Sequence, residues 1–370
     1  MVSIGVIGGG QLARMMVPPA TSMGLTLKVL AEAEGSSASI AATMVGDYNV
    51  FEVVRDFAAS VDVITFDHEH VPLSILETLE ESGVSVQPSP KALRFAQNKL
   101  DMRRRLTELG LPCPVWAEVS TEAELQEFLD ANGGEAILKT PIGGYDGKGV
   151  RVVRLASDAA DWFGNGPLLV EEKVDFVREL AQLSARSVTG EFRAWPLVQT
   201  VQLDGVCAEV LAPAPDTSDA TLEYAAEIAR SVAEGLGVTG VLAVEMFEAR
   251  DGRILINELA MRPHNSGHFS IEGAVTSQFE QHLRAVSGLP LGSTDMVANA
   301  AVMINLLGID DSNDFVSRYK EAMALHPHAK LHTYGKQARK GRKMGHVTVV
   351  ASEPGWALAE ARAAANVLRS

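Results

Sequence analysis

The sequence predicts an α/β (α+β) protein, and three observations carry that. An apolar strand runs into Gly8-Gly9-Gly10-Gln11-Leu12-Ala13 and then a helix. A long amphipathic helix over 219–236 leads into two strands of alternating pattern. A loop with four glycines in seven residues, 143–149, lies between two further strands. Apolar strands interleaved with amphipathic helices are the pattern of sheets covered by helices. At 370 residues, 46% hydrophobic and 21% charged, the chain has material for two or three cores.

Residues 2–7 read as a buried strand, followed by the glycine turn and a helix to about Met23. Glu32 or Glu34 follows about 20 residues on, as in a dinucleotide fingerprint. Such glycines let backbone N–H groups approach a phosphate at a helix N-terminus. The motif does not say whose phosphate, so a mononucleotide substrate and a nicotinamide-dependent oxidoreductase both fit it. Strands over 27–31 and 61–66 continue the domain, and the latter ends in Asp67-His68-Glu69-His70. The carboxyl end of a parallel strand is where such sheets bind ligands. His68 and His70 lack the H-E-x-x-H spacing of a zinc helix. A carboxylate bonding a ribose or an amine is the favoured reading. Residues 83–90 close this domain, with a last strand over 84–86.

A helix is expected over 98–109, with Leu100, Leu106 and Leu109 near one face and Gly110 as its stop; Pro112 and Pro114 follow. A second helix, 121–131, would bury Leu125, Phe128 and Leu129. Its cap is Ser120 or Thr121, and Glu124 completes a capping box in the latter case. The strand 137–140, the loop 143–149 and the strand 150–153 describe a flap over phosphates, with backbone amides and Lys148 as donors. It is not a Walker loop, because no G-K-[ST] opens a helix; an ordinary hairpin turn is the alternative. The apolar strand 168–172 ends at Glu171 and Glu172. Glu171 and Glu179 could accept from adenine or ribose groups, or be solvated strand ends. The helix 219–236 would turn Leu222, Ala226, Ala229, Val232, Ala233 and Leu236 inward.

Residues 240–268 organise the rest. Val241, Ala243, Glu245 and Phe247 alternate with Leu242, Val244 and Met246, and Asp251-Gly252 signals a two-residue hairpin turn. That turn pairs Arg250 with Arg253 and places Glu245 opposite Glu258, which would share a face with Ile254 and Ile256. Two carboxylates opposed across a ladder repel. A hard cation between them makes a binding site, and magnesium suits it, since it takes one or two carboxylates and leaves positions for phosphate oxygens. The polar loop that follows holds Arg262, His264, Asn265, Ser266 and His268. An arginine there can grip phosphate with a planar fork. His264 is a general base or a hydrogen-bonded loop histidine. A helix over 277–286 closes this region.

Acidic residues outnumber basic ones 47 to 32, a formal charge of −15, which argues against general nucleic-acid or membrane-surface binding. A local exception spans 330–346, where Lys330, Lys336, Arg339, Lys340, Arg342 and Lys343 occur without an acidic residue. A phosphorylated small molecule would satisfy that cluster; otherwise it is a solvated loop. Cys113 and Cys207 have no metal spacing, as expected in a reducing compartment. The N-terminus lacks the charged region of a signal peptide. The apolar run 296–309 is short for a bilayer span and contains Asn299 and Asn305. A cytoplasmic enzyme is expected.

Five stretches together resemble the ATP-grasp superfamily, and within it the purine-biosynthetic ligases that carboxylate aminoimidazole ribonucleotide. They are residues 8–15 (GGGQLARM), 143–149 (GGYDGKG), 257–260 (NELA), Arg262 with 264–268 (HNSGH), and 341–346 (GRKMGH). The resemblance covers almost the whole chain. It implies a Rossmann-like domain over 1–95, an ATP-grasp domain over 96–295 with a flap subdomain at about 115–175, and a small β-rich C-terminal domain over 296–370. It assigns ATP to Lys99, Lys139, the flap residues Gly143, Gly144, Tyr145, Asp146, Gly147, Lys148 and Gly149, the stretch Glu171, Glu172, Lys173 and Val174, and Glu179, Asn257 and Glu258. Gln202 falls where some members have a nucleotide-contacting histidine. Glu245 and Glu258 would carry magnesium. Gln11, Glu69, Tyr145, Asp146, Lys148, Lys336 and Arg342 or Lys343 would hold aminoimidazole ribonucleotide. Arg262, His264 and Lys336 would act on the transferred carboxyl group. The resemblance further implies bicarbonate as the carboxyl source, carboxyphosphate as the intermediate, and a homodimer. Met261 stands where the family usually has proline, and Ala260 where wider members have a metal-binding asparagine. Another ATP-grasp ligase and a non-catalytic nucleotide sensor are the remaining alternatives.

Overall fold

The structure, a computed structural model, describes residues 2–144, 149–310 and 314–370. Its first sheet is parallel, with strands β1 (Ser3–Ile7), β2 (Thr26–Ala31), β3 (Ala42–Val45), β4 (Val63–Phe66) and β5 (Ser85–Val86) in the order β3-β2-β1-β4-β5. Alternation along β1 sends Ile4 and Val6 against Leu12, Ala13 and Met16 of the helix Gln11–Ser22, while Ile7 joins Phe57, Leu76 and Leu79 on the other face. Helices therefore cover both faces, and the carboxyl ends of β1 and β4 are left open to a ligand.

A second sheet is antiparallel. It contains β6 (Trp116–Val119), β7 (Ala136–Lys139), β8 (Val150–Val153) and β9 (Leu168–Glu172) in the order β6-β9-β7-β8. The helix Glu122–Ala131 packs Leu125, Phe128 and Leu129 onto it. Thr121 is its cap, and both bonds of the capping box with Glu124 are made.

The third sheet has nine strands: β10 (Phe176–Arg186), β11 (Phe192–Ala194), β12 (Val198–Leu203), β13 (Val206–Ala212), β14 (Gly240–Ala249), β15 (Ile254–Ala260), β16 (Ala300–Leu307), β17 (Lys330–Thr333) and β18 (Lys343–Ala351). Their order is β15-β14-β10-β12-β13-β16-β18-β17, with β11 on β10. The pairing of β13 with β16 carries the central sheet directly into the C-terminal segment. The apolar run around 300 is thus a buried strand. Among the described residues no helix is long and apolar enough to cross a membrane.

The helix Asp219–Leu236 is capped by Ser218 and ends at Gly237, whose φ of 68° is left-handed. It buries Ala225, Ile228, Ala229, Val232, Ala233 and Leu236. Leu222 and Ala226 are only half-buried, so the inward face is rotated from the expected one. Another helix, Gln278–Ser287, ties distant segments together through buried polar groups. The Gln281 amide bonds both the N–H and the C=O of Gly292, at 2.7 and 2.8 Å. His282 accepts from Val241 N at 3.0 Å and lies 2.8 Å from Thr65 Oγ1, linking β14 to β4.

The β14–β15 hairpin corrects one expectation while keeping its consequence. Ala249 N donates to Arg253 O at 2.8 Å, so the loop has three residues rather than two, and Arg250 does not pair with Arg253. Met246 pairs with Ile256 and Phe247 with Leu255, but Glu245 pairs with Glu258, because a bulge inserts Asn257. The extra residue in the turn and the extra residue in the bulge cancel. The bulge also moves Glu258 away from the face of Ile254 and Ile256 and onto the face of Leu255, since opposed residues point the same way.

Candidate active site

The ends of these sheets surround a cleft of about 1240 Å³ lined from all three segments of the chain. Glu245 and Glu258 are opposed on its floor. Burial and the Glu258 charge push the Glu245 carboxyl up to about 8. A cation between the two would relieve that strain. The donor set, two carboxylates with room for phosphate oxygens, fits magnesium.

The bulge that opposes the glutamates also aims Asn257. Its Oδ1 accepts from Lys139 Nζ at 3.2 Å, and its carbonyl accepts from Arg103 at 2.7 Å. Lys139 Nζ lies 2.5 Å from Glu171 Oε2, and Arg103 bonds Glu171 Oε1. Burial raises the Glu171 carboxyl, but Arg103 and Lys139 outweigh it and hold the group at about 2. Both oxygens of Glu171 are therefore engaged within the protein, and its side chain anchors Lys139 at the edge of the cleft. Lys99 Nζ lies 3.2 Å from Glu258 and donates to Gly144 O at 3.1 Å, joining the hairpin to the flap. Glu172, Lys173, Val174, Glu179 and Gln202 line the same end. Glu179 is raised by burial and opposed in this by a hydrogen bond with Gln202. Beside them the Phe176 and Phe247 rings stack at 4.7 Å. Gly143, Gly144 and Gly149 are described; Tyr145, Asp146, Gly147 and Lys148 lie outside the described residues.

At the other end, Arg262 Nε donates to Glu69 Oε2 at 2.8 Å. Burial would lower the guanidinium, but Glu69 more than offsets this and raises it. Glu69 lines the cleft and orients Arg262. His264 Nδ1 accepts from Ser266 N at 3.3 Å and lies 2.9 Å from Ser266 Oγ. That bond leaves the ring proton on Nε2, which points toward Glu245 Oε1 at 3.6 Å. Burial, with Arg262 and Lys343 nearby, pushes His264 down to about 3, so the ring is neutral. Lys336 bonds Gln11 Oε1, bringing the basic segment onto the first residue of the N-terminal helix. Lys336, Arg339, Lys340, Arg342 and Lys343 line the cleft; Lys330 does not.

The glycine turn is occupied by the protein's own carboxylates. Gly9 N donates to Glu32 Oε2 at 3.0 Å, and His68 Nε2 lies 3.0 Å from Glu32 Oε1. Burial raises Glu32, but His68 and the Gly9 amide bring it down to about 2. Ala13 N donates to Asp67 Oδ1 at 2.7 Å, and a Cβ on Gly10 would stand 1.9 Å from Asp67 Oδ2. A pyrophosphate cannot take that helix end while Asp67 does, which removes the support for a dinucleotide reading. His68 and His70 stack at 5.1 Å, and no group of three or more His, Cys, Asp or Glu side chains among the described residues is arranged for a metal.

Sequence reasoning did not single out Arg103 or give Asp67 its role. Arg103 stands in Arg103-Arg104-Arg105, where nothing local separates it from the exposed Arg104. Asp67 did carry a signal, its place at the end of a parallel strand.

Comparison with known proteins accounts for each segment. Residues 1–97 match the ribonucleotide synthetase preATP-grasp domain, 104–279 the ATP-grasp domain, and 301–360 the phosphoribosylaminoimidazole carboxylase C-terminal domain. N5-carboxyaminoimidazole ribonucleotide synthase of Mycobacterium bovis is 46% identical over 374 residues, covering 99% of this chain and 87% of its own. The Bacillus subtilis protein of that name is 37% identical over 351 residues, covering 93% and 90%. The crystal structure of the Aspergillus clavatus synthase with ADP and 5-aminoimidazole ribonucleotide superposes with a TM-score of 0.90 at 34% identity, covering 99% of this chain and 98% of that one. The Thermus thermophilus enzyme gives 0.89 at 37% identity, with coverage of 99% and 98%. With its three segments, its cleft and its full-length relatives in agreement, the chain belongs to the N5-carboxyaminoimidazole ribonucleotide synthase family of ATP-grasp ligases.

Proposed function

We infer that the protein uses ATP and bicarbonate to carboxylate the exocyclic amine of 5-aminoimidazole ribonucleotide. The products are 5-(carboxyamino)imidazole ribonucleotide, ADP and phosphate, and carboxyphosphate is the intermediate. One observation carries this reading: a single cleft joins the Glu245–Glu258 pair, with Lys99 and Lys139, to Arg262, His264, Gln11 and Lys336.

Bicarbonate is a poor electrophile, and phosphorylation activates it. Magnesium held by Glu245 and Glu258 would offset phosphate charge when bound. Lys139, fixed by Glu171 and Asn257, offers its ammonium to the phosphates without having to reorganise. Arg262, aimed by Glu69, would hold the acyl phosphate through the rest of its guanidinium fork. The Nε2–H of a neutral His264 is a donor, which supports placing carbon dioxide over taking the amine proton. The basic segment over 336–343 suits the ribonucleotide phosphate, with Lys336 and Gln11 at its inner edge. The flap would exclude water, which otherwise destroys carboxyphosphate. We place the enzyme in the cytoplasm as a homodimer. Family membership supports both points, and the free thiols of Cys113 and Cys207 agree with the first.

ADP release measured with ATP, magnesium and bicarbonate, with and without aminoimidazole ribonucleotide, tests the reading. Strong stimulation by that nucleotide is expected. Stimulation only by a different amine or acid would keep the ligase and remove the purine assignment. No release under any condition would overturn both.

A further inference from the structure

The loop carrying Arg262 and His264 is regular only over one short turn, Asn265–Gly267. Gln278, the first residue of the helix Gln278–Ser287 and 0% exposed, holds it in place. Gln278 Oε1 accepts from His264 N at 2.8 Å, while Nε2 donates to His264 O at 2.8 Å. One side-chain amide thus makes both backbone bonds that a neighbouring strand would make. Nε2 also lies 2.8 Å from His268 Nδ1, and its donation there leaves the His268 proton on Nε2. The Gln278 N–H donates to Ser270 Oγ at 2.8 Å, and that hydroxyl donates to Gly267 O at 2.6 Å, closing the turn. The packing explains Gly267 as well. A Cβ there would stand 2.4 Å from Gln278 Oε1 and 2.6 Å from Leu183 Cδ2.

We propose that Gln278 is a positioning residue for the carboxyl-transfer half of the reaction, a role that rests on the function inferred above. Its amide clamps the main chain of His264, and so sets the His264 Nε2–H and the neighbouring Arg262 guanidinium against the carboxyl group in transit. With no water able to reach the amide, nothing else satisfies these groups if it is removed. The residues assigned to the ATP phosphates, Lys139, Glu245 and Glu258, lie on β7, β14 and β15. None is bonded by Gln278, and only Glu245 meets the clamped loop, where its carboxylate is 3.6 Å from His264 Nε2. Loosening it should therefore spare phosphoryl transfer and impair capture of the carboxyl group. Carboxyphosphate would then be lost to water, and ADP would form without product.

The experiment compares wild type with Gln278→Met, which keeps length and loses every side-chain bond, and with Gln278→Glu, which keeps the acceptor for His264 N–H and loses both side-chain donations. ADP and carboxylated ribonucleotide are measured together, with KM for ATP and the melting temperature. A displacement of about 1 Å at a reacting group costs roughly 100-fold, so a fall of about 10- to 100-fold in product formation is expected for Gln278→Met. KM for ATP should stay close to wild type, and ADP released per product should rise clearly above the wild-type ratio. Gln278→Glu should lie between, and it decides the matter on the same readouts if Gln278→Met does not fold. A wild-type coupling ratio in folded variants would overturn the proposal. So would ADP, product and ATP affinity all falling in parallel with melting temperature, since that is a merely structural role. Wild-type protein that forms no carboxylated product at all would overturn the functional reading itself, a result distinct from either.

Discussion

Arg103 and Glu171 form an ion pair closed to solvent, with Arg103 0% exposed and Glu171 3%. The pair joins the helix Lys99–Glu108 to the end of β9, and Arg103 reaches on to the bulge carbonyl of Asn257. Removing Arg103 leaves Glu171 with Lys139 as its remaining partner, so the cost is that of lost hydrogen bonds to a charged group, about 1.5–3 kcal/mol, rather than that of a stranded charge. Arg103→Met is expected to lose that much in denaturant unfolding and to bind ATP more weakly, because Lys139 and Asn257 lose a shared support. The pH dependence has a definite sign. Glu171 is depressed from 4.5 to about 2, so its contribution is complete above pH 4.5 and is lost as pH falls toward 2. Arg103→Met should flatten stability against pH across that window, and an unchanged slope would refute the assignment.

Glu258→Gln removes one of two opposed carboxylates. In the absence of metal the variant removes the charge that helps push Glu245 up to about 8 but gives up the 3.2 Å ion pair with Lys99, so it should melt close to wild type. Added magnesium should raise the wild-type melting temperature and leave that of the variant unmoved. ADP formation should fall about 100-fold or more, the scale of losing a preorganised electrostatic contact to a transferring group. Near-wild-type turnover would remove Glu258 from the metal site.

What the sequence made legible was local chemistry. Glycine turns, strand-end acids and the basic segment each carry their signal within a few residues, and the capping box at Thr121 and Glu124 was readable at spacing three. The opposition of Glu245 and Glu258 was also readable, although by a turn and a register that the structure replaces. A bulge leaves no mark in composition, so Asn257 could not be seen as the inserted residue. Strand β10 escaped notice because buried polar residues interrupt its apolar pattern. Gln182, 1% exposed, bonds Trp195 O at 2.6 Å, and Ser184 is fully buried. The clamp on His264 was hidden for a different reason. Gln278 acts on a backbone 14 residues away, and only the fold brings the two together.

Lys336→Ala tests the junction between the C-terminal segment and the N-terminal helix. Lys336 bonds Gln11 and sits 5.7 Å from the Tyr334 ring, while Tyr334 is fully buried against the first domain. Truncation should spare ATP affinity, since none of the groups about Lys139 is touched. Affinity for aminoimidazole ribonucleotide should fall about 10- to 100-fold, in line with roughly 1.5–3 kcal/mol for a hydrogen bond from a charged donor. Isothermal titration with each ligand separates the two, and equal losses for both would place Lys336 in the nucleotide site instead.

The last prediction concerns the glycine turn, where the sequence alone allowed a nicotinamide dinucleotide. Such a ligand needs free N–H groups at the start of the helix Gln11–Ser22. Here Gly9 N–H is given to Glu32 and Ala13 N–H to Asp67, and the Asp67 carboxylate lies where a Cβ of residue 10 would be. A pyrophosphate brought there would meet two carboxylates before it met a donor. Reduced nicotinamide dinucleotide should therefore give no saturable fluorescence change with the wild-type protein. Asp67→Ala, which vacates the helix end, should lose the bond from Ala13 N–H at a cost of about 1–3 kcal/mol. It should also raise KM for aminoimidazole ribonucleotide, because Gln11 stands on the first turn that Asp67 fixes. Saturable binding of the dinucleotide by wild type would show that the carboxylates yield, and would return the oxidoreductase reading to consideration.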